Sequence, residues 1–285
     1  MTPLAVGLVL ASALAHASWN LLAKNASQSR VFAWLCTVAA AIVTAPLAIA
    51  QILTSSWPTA QAFAFPVVSG LIHVGYFWSL SRAYQAGDLS LVYPLARGSG
   101  PLLAVLLSVV SIGERPSLLA TIGIAGILLG VVCLTGDPRA LFRSKNGASV
   151  GFAFLTGAII AAYTVWDKYG VSGMGVPPVV YFSILMATCG LSRAPWALSD
   201  LEQARIELRK FWKVSVVAGV LIALAYTLVL TALVTSPVTY VAPMREIGIL
   251  FGAILGHKLL AEGQTRQRLA GSALMVLGVS ALAVG

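Results

Sequence analysis

Apolar runs of about 20 residues, separated by short polar connections, fill almost the whole chain. A helix needs about 20 mainly apolar residues to cross the hydrocarbon core of a bilayer. On that measure the pattern predicts ten helices. They fall at Pro3–Ala23, Val31–Leu53, Phe63–Gln85, Leu89–Ile112, Leu118–Thr135, Val150–Lys168, Pro177–Arg193, Val214–Leu233, Val238–Leu260 and Arg266–Val284. The seventh is the weakest, because Thr188, Gly190 and Ser192 dilute it. The longest connection, Ala194–Lys213, carries Asp200, Glu202, Arg205, Glu207, Arg209 and Lys210. Ser199 and Glu202 fit a capping box there, and Leu201, Ala204, Leu208 and Phe211 fall at helical spacing. That predicts a short amphipathic helix lying along the interface; the plainer reading is a solvated loop.

The pattern repeats. Trp19 and Lys24 return as Tyr163 and Lys168, 144 residues on. Gly70, Ala83 and Pro94 return as Gly219, Ala232 and Pro243, 149 on. Arg97, Gly100, Glu114, Gly123 and Gly130 return as Arg245, Gly248, Glu262, Gly271 and Gly278, 148 on. Drifting offsets are what a duplication with small insertions and deletions leaves. The halves divide as 1–135, a connecting loop 136–149, and 150–285. Five helices per half is an odd number, so the halves must be inverted in the membrane. Inverted repeats with a site near the midplane are a common transporter architecture.

Composition and charge sharpen this picture. The chain has 285 residues, of which 59% are hydrophobic and 9% charged, against about 25% charged in soluble domains. It reads as an integral membrane protein with almost no room for a soluble domain. Net charge is +9, but the basic residues sit in short loops, so positive-inside bias explains them better than nucleic acid. Odd-numbered loops and their helix ends hold 14 Lys and Arg; even ones hold only Arg115 and Lys168, which makes 2. Odd loops are then cytoplasmic and both termini lie outside, in a multi-pass protein of the plasma (inner) membrane. The start of the chain resembles a signal peptide but has no basic residue before its apolar run, and it has a counterpart later; it reads as the first helix. Cys36, Cys133 and Cys189 stand singly in apolar runs, like small buried hydrophobes.

The candidate chemistry lies inside those runs. Arg97 sits about nine residues into the fourth helix and Arg245 about eight into the ninth, roughly 12–14 Å deep at 1.5 Å per residue. A charge at that depth is expensive and is kept for function or as part of a buried network. One reading joins Arg97, Arg245 and Glu246 in an ion network between the halves. The other has an arginine holding a substrate anion, for which its fork and permanent charge suit it. Pro94, Gly98, Gly100 and Pro101 flank Arg97, and Pro243 and Gly248 flank Arg245, as in broken midplane helices or simply kinked, close-packed ones. The first helix puts His16, Trp19 and Asn20 on one face, and the third puts His73, Tyr76 and Phe77 together. The sixth adds Tyr163, Trp166 and Asp167, and the fourth adds Tyr93. These faces read as cavity walls, with Trp19 and Trp166 alternatively interfacial anchors and Asp167–Lys168 an interfacial pair. Glu114 and Glu262 close helices and read as structural. The chain has no HExxH, GxSxG or P-loop, and His16, His73 and His257 lack metal-ligand spacing. Neither enzyme activity nor a cofactor or metal is expected.

WNLLAK near the start, YPLARGSGP and PMREIG in the fourth and ninth helices, and the terminal LLAEGQTRQRLAGSALMVLG resemble the EamA family of the drug/metabolite transporter superfamily. The resemblance spans essentially the whole chain. It implies ten helices in two repeats around a central cavity and the export of small metabolites, without naming a substrate. The expectation is an all-α membrane protein of two inverted five-helix repeats. It would move an amino acid-like, anionic or zwitterionic solute by alternating access, coupled to protons or a counter-substrate. A lipid-linked flippase or a non-transporting scaffold are the alternatives.

Overall fold

The computed structural model describes residues 1–23, 29–54, 59–86, 89–135, 147–252 and 266–285. Ten helices lie in these stretches: α1 (Pro3–Ala23), α2 (Arg30–Thr54), α3 (Ala60–Ala86), α4 (Leu89–Ser111), α5 (Leu118–Thr135), α6 (Gly147–Lys168), α7 (Pro178–Ala197), α8 (Leu201–Thr235), α9 (Val238–Arg245) and α10 (Arg266–Val284). Among the described residues, five helical stretches are long and apolar enough to cross a membrane, and three shorter apolar ones accompany them. Lys24, most of the connection 136–149, the ninth helix beyond 252, His257 and Glu262 lie outside the described residues, as do the side chains of Tyr93 and Pro94.

The ten positions match the hydropathy reading, with two differences. The charged stretch after α7 is no separate interfacial helix. It is the first part of α8, a continuous 35-residue helix, long enough at 1.5 Å per residue to overrun the apolar slab by about 20 Å. Its cap also differs. Asp200, not Ser199, accepts from the Gln203 N–H, at 3.0 Å, while the Ser199 hydroxyl turns back to the Trp196 carbonyl. Arg193, one of the basic residues assigned to the loops by hydropathy, is buried. It donates to Thr37 at 3.2 Å and lies over the Phe77 ring at 4.3 Å. One charge leaves the loop tally without changing its sign.

Helices pack mostly across the halves. α3 lies against α6 and α7, and α8 against α1 and α2. Exchanging α1–α5 for α6–α10 turns the first set into the second. Under the same exchange α2 meets α7, α4 meets α9 and α5 meets α10, so each of these helices touches its own counterpart. The α5–α10 seam gives the sense of the symmetry. Gly123 abuts Gly278, and Gly130 abuts Gly271. One index rises as the other falls, so these equivalent helices run antiparallel. A Cβ on Gly278 would stand 2.6 Å from the Gly123 carbonyl oxygen; only hydrogen lets the backbones come so near, as is usual where membrane helices pack closely. The repeats are therefore inverted. A long-range tie between them is the Ser12 hydroxyl of α1 donating to the Ala225 carbonyl of α8, 213 residues away at 2.7 Å.

Regular helix breaks at two places, one near the centre of the bundle and one at the end of α6. α9 stops at Arg245, where Glu246 N bonds Pro243 O and Ile249 N bonds Glu246 O in tightened turns, before helix resumes at 247–252. Its start is capped by Glu114, whose two carboxylate oxygens accept from Val238 N and Thr239 N, both at 2.8 Å. α6 ends in a π turn, Tyr169–Gly173, a local form frequent near functional sites. Its Gly170 lies flat against the Tyr181 ring.

Candidate functional site

Arg97 of the first half and Glu246 of the second meet at the centre, 3.7 Å apart. Desolvating both charges is costly, and mutual attraction offsets that only with good geometry and further hydrogen bonds. Arg97 has a second partner, since its Nη2 lies 2.7 Å from His16 Nε2. Glu246 is less well served: its Oε2 is buried without a hydrogen-bond partner among the described residues. Arg245, the neighbour of Glu246 in sequence, lies over the Tyr226 ring at 5.7 Å. No carboxylate among the described residues lies within ion-pair distance of it. The ion network therefore includes Arg97 and Glu246 and leaves Arg245 beside an aromatic face, a favourable but weaker setting for a cation.

A second cluster adjoins this one through Tyr226. Asp167 is buried, and three hydroxyls converge on it. Ser69 and Tyr181 donate to Oδ1 at 2.6 and 2.8 Å, and Tyr226 reaches Oδ2 at 2.5 Å. The Tyr226 oxygen also lies 3.2 Å from His73 Nε2, and His73 Nδ1 lies 2.8 Å from the Ser69 carbonyl oxygen. His73 stacks on Tyr163 with centroids 4.2 Å apart, and Tyr76 meets both rings edge-on. Hydroxyls from α3, α7 and α8 thus surround a carboxylate from α6. A buried carboxylate needs that many donors.

The predicted residues divide accordingly. Arg97, Arg245, Glu246 and His16 gather at the centre, and His73, Tyr76 and Tyr163 gather beside them. The Trp19 ring nitrogen lies 3.2 Å from His16 Nδ1, and its indole packs toward Phe32 and Phe211 at the far end. Asn20 is exposed and bonds the His16 carbonyl of its own helix, so it stands outside the cluster. Asp167 decides between the two readings the sequence left for it. It is no interfacial partner of Lys168, whose ammonium turns away to the Leu233 and Ser236 carbonyls. Trp166 likewise faces the bundle, stacking on Phe65 and donating to its carbonyl. Ser69, Tyr181 and Tyr226 were not anticipated; Tyr226 offered one signal, a tyrosine deep in an apolar run, whereas Tyr181 stands in the first turn of α7. A crevice of about 390 Å³ lined by Ala5, Leu8, Gln51, Pro178 and Thr231, among others, shares none of these residues. Among the described residues no His, Cys, Asp and Glu group is arranged to hold a metal ion.

A comparison with curated proteins returned no match. One solved structure, described only as the crystal structure of a protein, superposes with a TM-score of 0.73 at 18% identity, over 97% of this chain and 95% of its own. At that identity the likeness speaks for the fold alone. The model of the EamA-like transporter family matches twice, over residues 3–136 and again over 148–284. The two matches cover nearly all ten helices, and the chain is a multi-pass membrane protein that belongs to the EamA-like transporter family.

Proposed function

We propose that the protein moves a small amino acid-like solute across the membrane by alternating access, with the solute's carboxylate held on Arg245. The observation that carries this reading is the asymmetry of the two arginines. Among the described residues Arg97 has Glu246, whereas Arg245 has the face of Tyr226. A guanidinium without a carboxylate inside the bundle favours a carboxylate or phosphate, which it can grip with two parallel hydrogen bonds. Glu246 Oε2, buried and unpaired among the described residues, offers an ammonium its complement one residue away. His73, Tyr76 and Tyr163 would form the wall along which the solute's body lies. The domain division at 136–149, export as the physiological direction and the outward termini belong to the same proposal. The break after Arg245, where two halves meet in exchanged pairs, supports a rocking motion about that point. A flippase for lipid-linked metabolites has less support, because the central charges are enclosed by α1, α4, α6, α8 and α9 and not presented to lipid.

The test is binding of paired ligands, each an acid and its amide or ester, to purified protein. Acids should bind more tightly. Arg245→Gln should weaken the acid by roughly 1.5–3 kcal/mol, the worth of a hydrogen bond to a charged group, and leave the amide unchanged. Equal affinity within every pair, or an unaltered acid affinity in the variant, would refute the site.

A further inference from the structure

We propose that Asp167, Tyr226 and His73 form one proton-binding site, the coupling site of the transporter; the coupling role rests on the reading of Arg245 as the solute's anchor, the proton site itself does not. The argument is a count of hydrogens. His73 Nδ1 faces a carbonyl oxygen at 2.8 Å. A carbonyl only accepts, so Nδ1 carries a hydrogen. With Nδ1 protonated, neutral His73 presents a bare acceptor at Nε2. Ionised Asp167 presents a bare acceptor at Oδ2. Between them stands the Tyr226 hydroxyl, 2.5 Å from one and 3.2 Å from the other. It has a single hydrogen for two acceptors. One contact is then left without a hydrogen, in an interior where unmade polar contacts are costly.

One added proton completes both bonds, and it does so in two arrangements. Placed on Asp167 Oδ2, it is donated to the Tyr226 oxygen, and the Tyr226 hydrogen goes to His73 Nε2. Placed on His73 Nε2, it is donated to the Tyr226 oxygen, and the Tyr226 hydrogen goes to the Asp167 carboxylate. The arrangements interconvert when the carboxyl hydrogen passes to the phenol oxygen while the phenol hydrogen passes to Nε2. No heavy atom moves, and the net charge of the three groups is zero in both. Loss of the proton leaves them at −1.

The other groups facing the three residues fit this role. From α3 come Ser69 and Tyr76, from α6 Tyr163, and from α7 Tyr181. The nearest cation is Arg245, over the Tyr226 ring. Lys168 points away. The charge of Arg245 is therefore shared between a deprotonated site and any anion. Protonation frees Arg245 for the solute's carboxylate, and proton and anionic group bind together, by reciprocal linkage. Both then cross together, so export carries the proton outward and is driven by the solute's own gradient.

The experiment is a pH titration of purified protein in lipid nanodiscs, with the proton as probe and no solute present. Infrared difference spectroscopy follows the protonated carboxyl, and nitrogen NMR follows the imidazole of His73. The wild type should take up about one proton with the carboxyl and imidazolium signals rising in a single shared step, as coupled groups do. Asp167→Asn should abolish the carboxyl signal and that uptake. Tyr226→Phe should split the step into two independent ones. A wild type that shows neither a protonated carboxyl nor an imidazolium across the titration, or a Tyr226→Phe profile identical to it, would overturn the proposal. If Asp167→Asn does not fold, the wild-type and Tyr226→Phe spectra decide the question. Because no solute is used, failure here leaves anion binding at Arg245 standing, and failure of acid-over-amide binding leaves the proton site standing. The linkage has its own reading: the acid of a pair, but not its amide, should bind several-fold more tightly below the step than above it.

Discussion

A guanidinium inside a bundle keeps its charge, so its behaviour depends on what stands beside it. Arg97 has a carboxylate and an imidazole; Arg245 has an aromatic face. The two therefore respond differently to loss of Glu246. Glu246→Gln strips Arg97 of its counter-charge, and removing one partner of a buried pair costs about 3–5 kcal/mol. The lower end applies, because the Arg97 side chain retains 24% exposure. Thermal unfolding in detergent should show the drop. A double Arg97→Met, Glu246→Leu variant should regain most of it, since an apolar pair of similar volume replaces a buried ion pair at little cost. The arginines were legible in the sequence because a charge within an apolar run stands out against its neighbours. Asp167 was not. It sits at the last turn of an apolar run, where hydropathy reads the boundary with water, and its burial depends on Ser69, Tyr181 and Tyr226 from three other helices. Only the tertiary arrangement brings those together.

Single helices are set by where backbones touch. At the α5–α10 seam Gly278 has no room for a methyl group, whereas a Cβ on Gly126 would meet the Leu274 carbonyl oxygen at an ordinary 3.4 Å. Gly278→Ala should destabilise by about 1–3 kcal/mol, as overpacking does, while Gly126→Ala in the same seam should be near neutral. Comparing the melting temperatures of the two variants checks this; equal losses would mean the seam is looser than described. Gly170 works differently. It lets the Tyr181 ring lie on the π turn, from which its hydroxyl reaches Asp167. Most helix ends were legible to within about four residues, because apolar length alone marks a membrane segment; the break after Arg245 was not. The joining of 201–213 to α8 was not: its charges mark where the helix leaves the apolar slab, and hydropathy reports that exit as an end.

Taken whole, the molecule has two faces that the loop charges should distinguish. Single cysteines at Ser199, between α7 and α8, and at Arg115, between α4 and α5, lie at opposite ends of the bundle. In intact cells Arg115→Cys should react with a membrane-impermeant thiol reagent and Ser199→Cys should not; the reverse pattern would invert the orientation argued from charge. The exchange of packing partners between halves has a different consequence, for the birth of the protein. α1 has its main partner in α8, and the Ser12 hydroxyl finds its long-range acceptor 213 residues downstream. At 5–20 residues per second of synthesis, that is a delay of roughly 10–40 s. The first five helices are completed during it, at residue 135, before the α8 partner of α1 is made. The first half cannot mature as a unit and wait. It is completed in steps, as α6, α7, α8 and α10 arrive to pack on α3, α2, α1 and α5.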